Sequence, residues 1–380
     1  MKFNTKTIHG GQHDADPAYG SVMPPIYQTS TYSQTTPGGH KGFEYSRSGN
    51  PTRAMLEKSL ASIENGEFGL AFGSGLAAID AVLKLFKPGD EIISTNDLYG
   101  GTYRLFTKIF ENFGLKFNFI GMQNADKIAD HITENTKLIW VETPTNPMMN
   151  IIDIKAAAKV AKEHNILLAV DNTFATPYLQ QPLDLGADIV MHSVTKYIGG
   201  HSDLVMGALI VKDKELADKL YFIQNASGAV CGPQDSFLAL RGIKTLHVRI
   251  QRHCENGKAV ANFLKDHPKV DKVYWPGFED HPNHAIAKDQ MKDFGGMVSF
   301  TTKEDSLQGA VKVVEKLKVF TLAESLGGVE SLAGHPASMT HASIPAEERA
   351  KTGIKDSLIR LSVGIEDEED LLADLKQALD

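Results

Sequence analysis

From residue 52 to residue 211, short apolar segments alternate with segments of helical periodicity, and this alternation constrains the fold more than any other feature. Strands that alternate with helices are joined by right-handed crossovers and form a mostly parallel sheet, so the pattern predicts an α/β fold. Ligands of such sheets bind at the carboxyl ends of the strands. The predicted strands are 68–72, 91–94, 137–142, 166–170, 187–192 and 205–211. The predicted helices are 52–63, 77–86, 103–113 and 154–164.

Local composition and the pattern of predicted elements divide the chain into three parts. Residues 1–47 are rich in Gly, Pro, Ser, Thr and Tyr, so we expect an irregular arm that lies over another domain or another subunit. Residues 48–242 hold the alternating pattern and form the predicted large domain. Residues 243–380 form a predicted smaller α+β domain, with helices at 245–266, 307–317 and from 367, and strands at 270–274, 297–301 and near 357–363.

Composition excludes several classes of protein. The 380 residues carry 39 Lys and Arg against 47 Asp and Glu, and the net charge of −8 argues against a nucleic acid or an anionic membrane as partner. The longest apolar run, 204–211, is far shorter than the ~20 residues of a membrane span. Cys231 and Cys254 fit neither a disulfide framework nor a zinc spacing. The first six residues contain no apolar segment of a secretory signal, so we expect a cytoplasmic protein.

We expect no metal site in this chain. His9 with His13, and His281 with His284, have spacings that can bind a metal, but neither pair has a third ligand nearby. The sequence also contains no Walker A, G-x-S-x-G or H-E-x-x-H motif.

Two charged residues follow buried strands at the predicted carboxyl edge of the sheet. Lys196 comes after the strand 187–192, between hydroxyl residues and glycines, and an amine held there beside a cationic ring can form a Schiff base. Asp171 ends the strand 166–170 and needs a positive partner, such as a pyridinium nitrogen, because burying an unpaired carboxylate is costly. Taken singly, each residue has an ordinary alternative: a surface lysine for Lys196, and an N-cap or ion-paired aspartate for Asp171.

A glycine-rich turn at residues 73–78 joins a predicted strand to a helix. The amides and positive dipole at a helix N-terminus can bind a phosphate, and the hydroxyls of Ser193 and Thr195 can donate to the same group. The turn also matches the dinucleotide fingerprint G-x-G-x-x-A, with Asp97 near the end of the next strand. A plain tight turn is the third alternative. Nicotinamide chemistry, however, gives Lys196 no task.

Two further side chains suit a small ligand. Tyr99 follows a strand and precedes two glycines, so its ring can stack on a flat cofactor. Arg360 lies in an otherwise apolar strand, where its guanidinium suits bidentate binding of a carboxylate. A packed loop tyrosine and an edge-strand ion pair are the alternatives.

Together these segments resemble the pyridoxal-phosphate enzymes of cysteine and methionine metabolism, of the cystathionine γ-lyase and γ-synthase type. The resemblance runs from Thr7 to the C-terminus. The motifs that carry it are Tyr-Ser-Arg-Ser-Gly-Asn-Pro-Thr at 45–52, Glu-Thr-Pro-Thr-Asn-Pro at 142–147, Val-Asp-Asn-Thr at 170–173, Ser-Val-Thr-Lys-Tyr at 193–197, Gly-His-Ser-Asp at 200–203 and Thr-Leu-Ala-Glu-Ser-Leu-Gly-Gly at 321–328. The resemblance implies the aminotransferase-like fold (PLP fold type I) and a homotetramer of two catalytic dimers.

The resemblance also implies how the cofactor, pyridoxal 5′-phosphate, would be held. Lys196 would bind it covalently, Asp171 would hold the ring nitrogen, and Tyr99 would stack on the ring and assist proton transfers. The residues implied for the phosphate are Gly75, Leu76, Ser193 and Thr195, with Tyr45 and Arg47 reaching in from the neighbouring subunit. The arm up to residue 47 would therefore complete a site in another copy of the chain.

For the substrate, the resemblance implies an amino acid held at both ends. Arg360 would bind the α-carboxylate, helped by Asn146 and the backbone of Ser325. Glu324 matches the acid near the distal ammonium of cystathionine. Arg104 is shared by γ-lyases and γ-synthases and counts as a further substrate-binding residue.

Within this family two positions bear on the reaction. Methionine γ-lyases have a cysteine where this chain has Gly101, and a β-lyase pattern has an aromatic residue near 323–325. Segments 228–230 and 244–249 look more like those of γ-lyases. We therefore expect γ-elimination on cystathionine, giving cysteine, 2-oxobutanoate and ammonia. The alternatives are a γ-synthase, a nicotinamide-dependent dehydrogenase and, with nothing in its favour, a non-catalytic binding protein.

Overall fold

The computed structural model describes residues 1–11, 19–342, 347, 349 and 352–380. These residues form two β-sheets, of seven and five strands, with helices packed against them. In the same ranges, none of the helices combines the length and the apolar character that crossing a membrane requires.

The larger sheet confirms the predicted, mostly parallel architecture. Its strands are β1 (Phe68–Phe72), β2 (Glu91–Thr95), β3 (Lys116–Ile120), β4 (Thr136–Glu142), β5 (Leu167–Asp171), β6 (Ile189–Ser193) and β7 (Gly207–Val211). The spatial order is β1-β7-β6-β5-β4-β2-β3. Strands β2 to β6 pair in parallel, whereas β7 is antiparallel to both β1 and β6. The prediction from sequence omitted β3, an edge strand whose residues are mostly only half-buried.

Helices cover this sheet and its flanks. They are α1 (Phe3–His9), α2 (Pro51–Ile63), α3 (Gly75–Leu83), α4 (Gly100–Arg104), α5 (Ile154–Glu163), α6 (Thr176–Leu179), α7 (Lys214–Ser227) and α8 (Pro233–Ile243). Irregular helical segments are a π-helical turn at Leu105–Ile109 and 3-10 turns at Phe110–Phe113, Ala125–His131 and Pro182–Asp184. The predicted helix 103–113 therefore starts earlier and changes type along its length. Helices α7 and α8 were not predicted.

Capping residues explain where two helices begin. Asn50, and not the predicted Thr52, is the N-cap of α2, because its side chain accepts hydrogen bonds from the two amides that follow Pro51. The N-cap of α3 is Ser74, whose hydroxyl accepts the Ala77 N–H at 3.0 Å, so α3 begins two residues before the predicted start at 77.

Side chains on the two faces of the sheet pack into different parts of the core. Ala169 of β5 packs with Leu138 and Trp140 on one face, while Leu168 and Val170 pack on the other face with α5. Because both faces are covered by apolar residues, polar side chains of these strands are concentrated at the strand ends.

The smaller sheet follows the long helix α9 (Leu246–Asp266). Its strands are β8 (Val270–Tyr274), β9 (Met297–Thr302), β10 (Thr321–Leu322), β11 (Leu332–Gly334) and β12 (Leu358–Ser362), in the order β10-β11-β12-β9-β8. Further helices are α10 (His284–Gln290), α11 (Leu307–Lys316) and α12 (Glu368–Leu379). The predicted elements of this part are confirmed, whereas α10 and the short β10 and β11 were not predicted. The predicted boundary at 242/243 falls in the last turn of α8, and it stays a prediction.

The first 47 residues are less irregular than predicted. Helix α1 packs on its own chain, with the Phe3 ring against Tyr178 and the Thr7 hydroxyl 3.1 Å from a ring nitrogen of His247. Residues 19–47 have an isolated bridge between Thr31 and Tyr45 but no helix. Residues 12–18 of the predicted arm, with His13, lie outside the described residues.

Candidate active site

A cavity lies where the carboxyl ends of the larger sheet meet the smaller sheet. Strands β4, β5 and β6 and the turns after β1 and β2 contribute one wall, and Arg360 of β12 with residues 324–326 contributes the opposite wall. Of the site residues predicted from the sequence, those that line it are Gly75, Leu76, Tyr99, Asn146, Asp171, Ser193, Thr195, Lys196, Glu324, Ser325 and Arg360. Residues more than 280 positions apart thus share one cavity.

Lys196 is an amine in a largely buried position. Its Nζ donates to the Ser325 hydroxyl at 2.7 Å. Burial and the nearby Arg360 guanidinium lower the pKa of Lys196 to about 8, against the opposing charge of Glu324. A lysine with this pKa is partly neutral near physiological pH, and the neutral amine is the nucleophilic form.

Asp171 and Glu142 form a pair of buried carboxyl groups. They are in register on the adjacent strands β5 and β4. Asp171 accepts hydrogen bonds from the amide and hydroxyl of Thr173, yet burial still raises its pKa. The pKa of Glu142 is raised well above its ordinary value by burial and by the charge of Asp171. Such a pair favours a cationic group in the cavity.

The N-terminus of α3 opens into the same cavity. A Cβ added at Gly75 would lie only 3.2 Å from the Ser193 hydroxyl, so the glycine allows this hydroxyl to approach the first amides of α3. The Thr195 hydroxyl donates to the Met206 carbonyl at 3.1 Å and accepts the Met206 amide at 3.0 Å. Free amides, a helix dipole and hydroxyls together suit an anion.

Arg360 is a buried cation aimed at the cavity. Its guanidinium donates to the Asn146 side-chain oxygen and to the Ser325 carbonyl, both at 2.9 Å. Burial lowers the pKa of Arg360 to about 10, which leaves it charged at neutral pH. Among the described residues, no carboxylate lies within ion-pairing distance of it, and β12 is an inner strand. The alternative of an edge-strand ion pair is therefore wrong.

The backbone of Ser325 brings the two walls together. Its φ of 94° lies in the left-handed region, which is uncommon for a residue other than glycine. In this conformation the hydroxyl of Ser325 meets Lys196 while its carbonyl meets Arg360. Strain of this kind concentrates at functional sites, where surrounding contacts maintain it.

Tyr99 lies at the opening of the cavity with about a third of its surface exposed. Its amide donates to the Glu142 carboxyl at 3.0 Å. A Cβ added at Gly101 would come within 2.3 Å of the Tyr99 ring, so a larger residue at 101 would displace the ring from this position.

Three predicted residues do not line the cavity of this chain. The Arg47 guanidinium donates to the Asn225 carbonyl at 2.8 Å and lies over the Tyr45 ring. Tyr45 is 45% exposed. Arg104 is exposed in the last turn of α4. The prediction that Tyr45 and Arg47 act in a neighbouring copy stays a prediction.

Sequence reasoning overlooked Glu142, Thr173 and Thr340, which also line the cavity. Glu142 ends an apolar strand, as Asp171 does, and this shared position was the available signal. Two of the histidines considered for a metal have other contacts. His281 and His284 face the backbone carbonyls of Met149 and Pro276.

The strand order contradicts the dinucleotide alternative. In a dinucleotide-binding unit the strands before and after the glycine-rich turn belong to one parallel βαβ unit. Here β1 is an edge strand whose partner β7 is antiparallel, and β2 lies at the other side of the sheet. The glycine-rich turn therefore leads into a helix that faces the cavity without a dinucleotide-binding fold.

Comparison with known proteins defines the class of this protein. Residues 4–380 match the family described as Cys/Met metabolism PLP-dependent enzyme, and the chain belongs to that family. It is thus an enzyme that uses pyridoxal 5′-phosphate, with the fold of the type I pyridoxal-phosphate enzymes.

Its relatives have three different activities. The chain is 55% identical to a cystathionine gamma-lyase of Dictyostelium discoideum, over 100% of this chain and 98% of the relative. It is 53% identical to a cystathionine beta-lyase of Coxiella burnetii, over 99% and 97%. A crystal structure of cystathionine gamma synthase from Xanthomonas oryzae pv. oryzae, with aminoacrylate and cysteine, superposes with a TM-score of 0.96 at 45% identity, covering 100% of this chain and 98% of that one. Overall identity therefore does not select one reaction.

Proposed function

We propose that this enzyme catalyses γ-elimination on L-cystathionine and releases cysteine, 2-oxobutanoate and ammonia. The observation that carries the proposal is the pair of opposite charges beside Lys196. Arg360 is a buried guanidinium without a carboxylate partner among the described residues, and Glu324 is an exposed carboxylate on the same cavity. A substrate with an α-carboxylate and a distal ammonium group complements both.

The residues of the cavity fit pyridoxal phosphate. Lys196 supplies the amine for its aldehyde, the acidic pair of Asp171 and Glu142 favours its protonated ring nitrogen, and the start of α3 with Ser193 suits its phosphate. We propose that Gly75, Leu76 and Thr195 complete the phosphate site and that Tyr99 stacks on the ring. When bound, the cofactor withdraws electrons from the carbons next to the substrate amino group.

Lys196 is the proposed proton carrier of the reaction. In its neutral form the amine accepts the α-proton of the substrate. It would pass that proton to the bound cofactor and, neutral again, accept the β-proton, which allows the γ-thiolate to leave. The hydroxyl of Ser325, 2.7 Å from Nζ, holds the amine where it can reach both the α-carbon and the β-carbon of the substrate. The Tyr99 hydroxyl, at the opening of the cavity, assists these transfers.

Arg360 and Asn146 orient the substrate for this transfer. Their mutual hydrogen bond fixes the plane of the guanidinium, which leaves a flat donor surface for the α-carboxylate. Glu324 then binds the distal ammonium. The role of Arg104 in the same substrate site is part of the proposal.

We further propose that the working unit is a homotetramer of two catalytic dimers. Residues 19–47 have no helix and expose Tyr19, Val22 and Tyr45, which suits contact with a second copy. In that arrangement Tyr45 and Arg47 of one copy reach the phosphate site of the next.

Product analysis tests the proposed reaction. Incubation with L-cystathionine should release 2-oxobutanoate and cysteine, because cleavage at the γ-carbon leaves a four-carbon keto acid. Lys196→Ala, purified alongside, should lose turnover by at least about a thousandfold, since it lacks the proton carrier. Chromatography distinguishes the products. Pyruvate with homocysteine would instead establish β-elimination and contradict the proposal.

The second candidate is the γ-synthase reaction, which the similarity to the Xanthomonas structure supports. It joins cysteine to an O-acylhomoserine at the γ-carbon and would use the same charged residues. O-succinylhomoserine with cysteine is the matching assay. Turnover of this ester pair without turnover of cystathionine would replace the first proposal by the second.

A further inference from the structure

Glu142 lies at the floor of the cavity beside the residue proposed to bind the cofactor ring. Glu142 and Asp171 are in register on parallel neighbouring strands, so their side chains project from the same face of the sheet. Both are buried, at 4% and 8% exposure, and both line the cavity. Two carboxyl groups therefore occupy a place where the ring nitrogen of the cofactor needs one negative charge.

Glu142 also holds the segment that carries Tyr99. Its Oε2 accepts the Tyr99 amide at 3.0 Å, and Tyr99 is the residue before the first turn of α4. Since the ring of Tyr99 folds over Gly101, the position of this amide determines where the ring lies at the cavity opening. Glu142 thus connects the floor of the cavity with its aromatic wall.

The charges around Glu142 determine which carboxyl group of the pair is ionised. It faces Asp171 from β5, Asp97 from the segment after β2 and Arg360 from β12. Asp171 accepts the amide and the hydroxyl of Thr173, whereas Glu142 accepts backbone amides only. The charges of both Asp171 and Asp97 raise the pKa of Glu142 further, so its carboxylate is the less stable of the two. Two buried carboxylates at in-register positions of adjacent strands cannot both ionise without a large cost, so the proton belongs on Glu142.

We propose that Glu142 is a positioning residue, a neutral carboxylic acid that fixes Tyr99 through its backbone amide and leaves the negative charge of the pair on Asp171. This inference rests on the proposed cofactor roles of Asp171 and Tyr99. It is independent of which sulfur amino acid the enzyme cleaves.

Two variants separate positioning from charge. Glu142→Gln keeps a neutral side chain of the same shape with an oxygen for the Tyr99 amide, whereas Glu142→Ala removes the hydrogen bond. We expect pyridoxal phosphate to bind the Glu142→Ala apoenzyme about tenfold more weakly, and the Glu142→Gln apoenzyme with a Kd close to that of the wild type. Quenching of protein fluorescence on titration gives these values. The matched control is Glu163→Gln, on the exposed end of α5.

The pH dependence of the bound cofactor's visible absorbance reports whether Glu142 is charged. A neutral Glu142 predicts the same midpoint for Glu142→Gln and wild type, because the substitution removes no charge. A fall of about half a unit or more would mean that Glu142 is ionised and would overturn the proposal. An unchanged Kd in Glu142→Ala would overturn the positioning role. Should that variant not fold, the midpoint of Glu142→Gln still decides the charge. These titrations need no substrate, so they are separate from the product analysis.

Discussion

Lys196 is a reactive amine because of what surrounds it and not because of its own chemistry. Burial removes water from the ammonium form, and the Arg360 guanidinium repels it, so the pKa falls from 10.5 to about 8. Glu324 acts in the opposite direction. Arg360 and Glu324, the two side chains that suit the ends of a substrate, therefore act together with burial on the pKa of the amine between them.

The reaction of apoenzyme with pyridoxal phosphate should follow this pKa. Only the neutral amine attacks the aldehyde, so the rate of cofactor attachment should rise with pH through a midpoint near 8 and not near 10.5. Stopped-flow absorbance over a range of pH measures it.

Two variants test the causes of the shift. Arg360→Gln removes a repelling cation and should move the midpoint of attachment upward, whereas Glu324→Gln removes an attracting anion and should move it downward. Shifts in the same direction for both variants would contradict the assignment of the charges.

Secondary-structure elements supply the anion site and the position of each side chain at the cavity. Strands β4, β5 and β6 end at one edge, and α3 begins there with its first amides exposed to the cavity. Ser74 determines this start because its hydroxyl caps Ala77. A single capping residue thus sets where the proposed phosphate site lies.

Removal of this cap should affect both stability and cofactor binding. Ser74→Ala should lower the free energy of unfolding by about 1 kcal/mol, as loss of an N-cap does, and should also raise the Kd for pyridoxal phosphate several-fold. Denaturant titration and apoenzyme titration give the two values.

Asp153→Ala is the matched control for the cap. Asp153 caps α5 in the same way, by accepting the Ala156 amide at 2.9 Å, but it does not line the cavity. We expect a similar loss of stability with an unchanged Kd. An equal rise of Kd in both variants would mean that the cap acts through general stability.

For the whole molecule, the proposed assembly explains why residues 19–47 have little structure of their own. The Thr52 hydroxyl, at the start of α2, accepts the Tyr27 amide and donates to the Pro25 carbonyl. These two hydrogen bonds fix the position of residues 25–27 against α2. Beyond these ties it exposes several apolar side chains. The proposed role of Arg47 at the phosphate site of another copy therefore depends on the assembly of the chains.

Subunit complementation tests this arrangement. Arg47→Ala and Lys196→Ala chains should each be inactive alone at limiting pyridoxal phosphate. Co-expressed in equal amounts, they should regain roughly a quarter of wild-type activity, because half of the random dimers are mixed and each mixed dimer has one intact site. Cystathionine turnover of the co-purified chains measures it. No recovery would show that Arg47 acts within its own chain.

Local patterns in the sequence were sufficient for much of the fold. Apolar runs that end at Gly or Pro predicted most inner strands of both sheets. A strand that is buried on both faces has a continuous apolar sequence, which makes it easy to recognise. The half-buried β3 and the amphipathic α7 and α8 gave weaker patterns and were missed. The motifs around Asp171 and Lys196 also identified the family and its cofactor from the sequence.

Long-range packing decided the contacts between residues that are distant in the chain, which local patterns do not contain. Arg360 comes from the smaller sheet and Ser325 from the segment between its strands β10 and β11. Their contacts with Asn146 and Lys196 arise only when the two sheets pack together. The pairing of Glu142 with Asp171 likewise depends on the register of β4 and β5. The sequence by itself determined most of the elements, the family and the cofactor, because these follow from local periodicity and short motifs. Only the tertiary structure decided which charges face one another, because the energies of buried charges depend on neighbours distant in the chain.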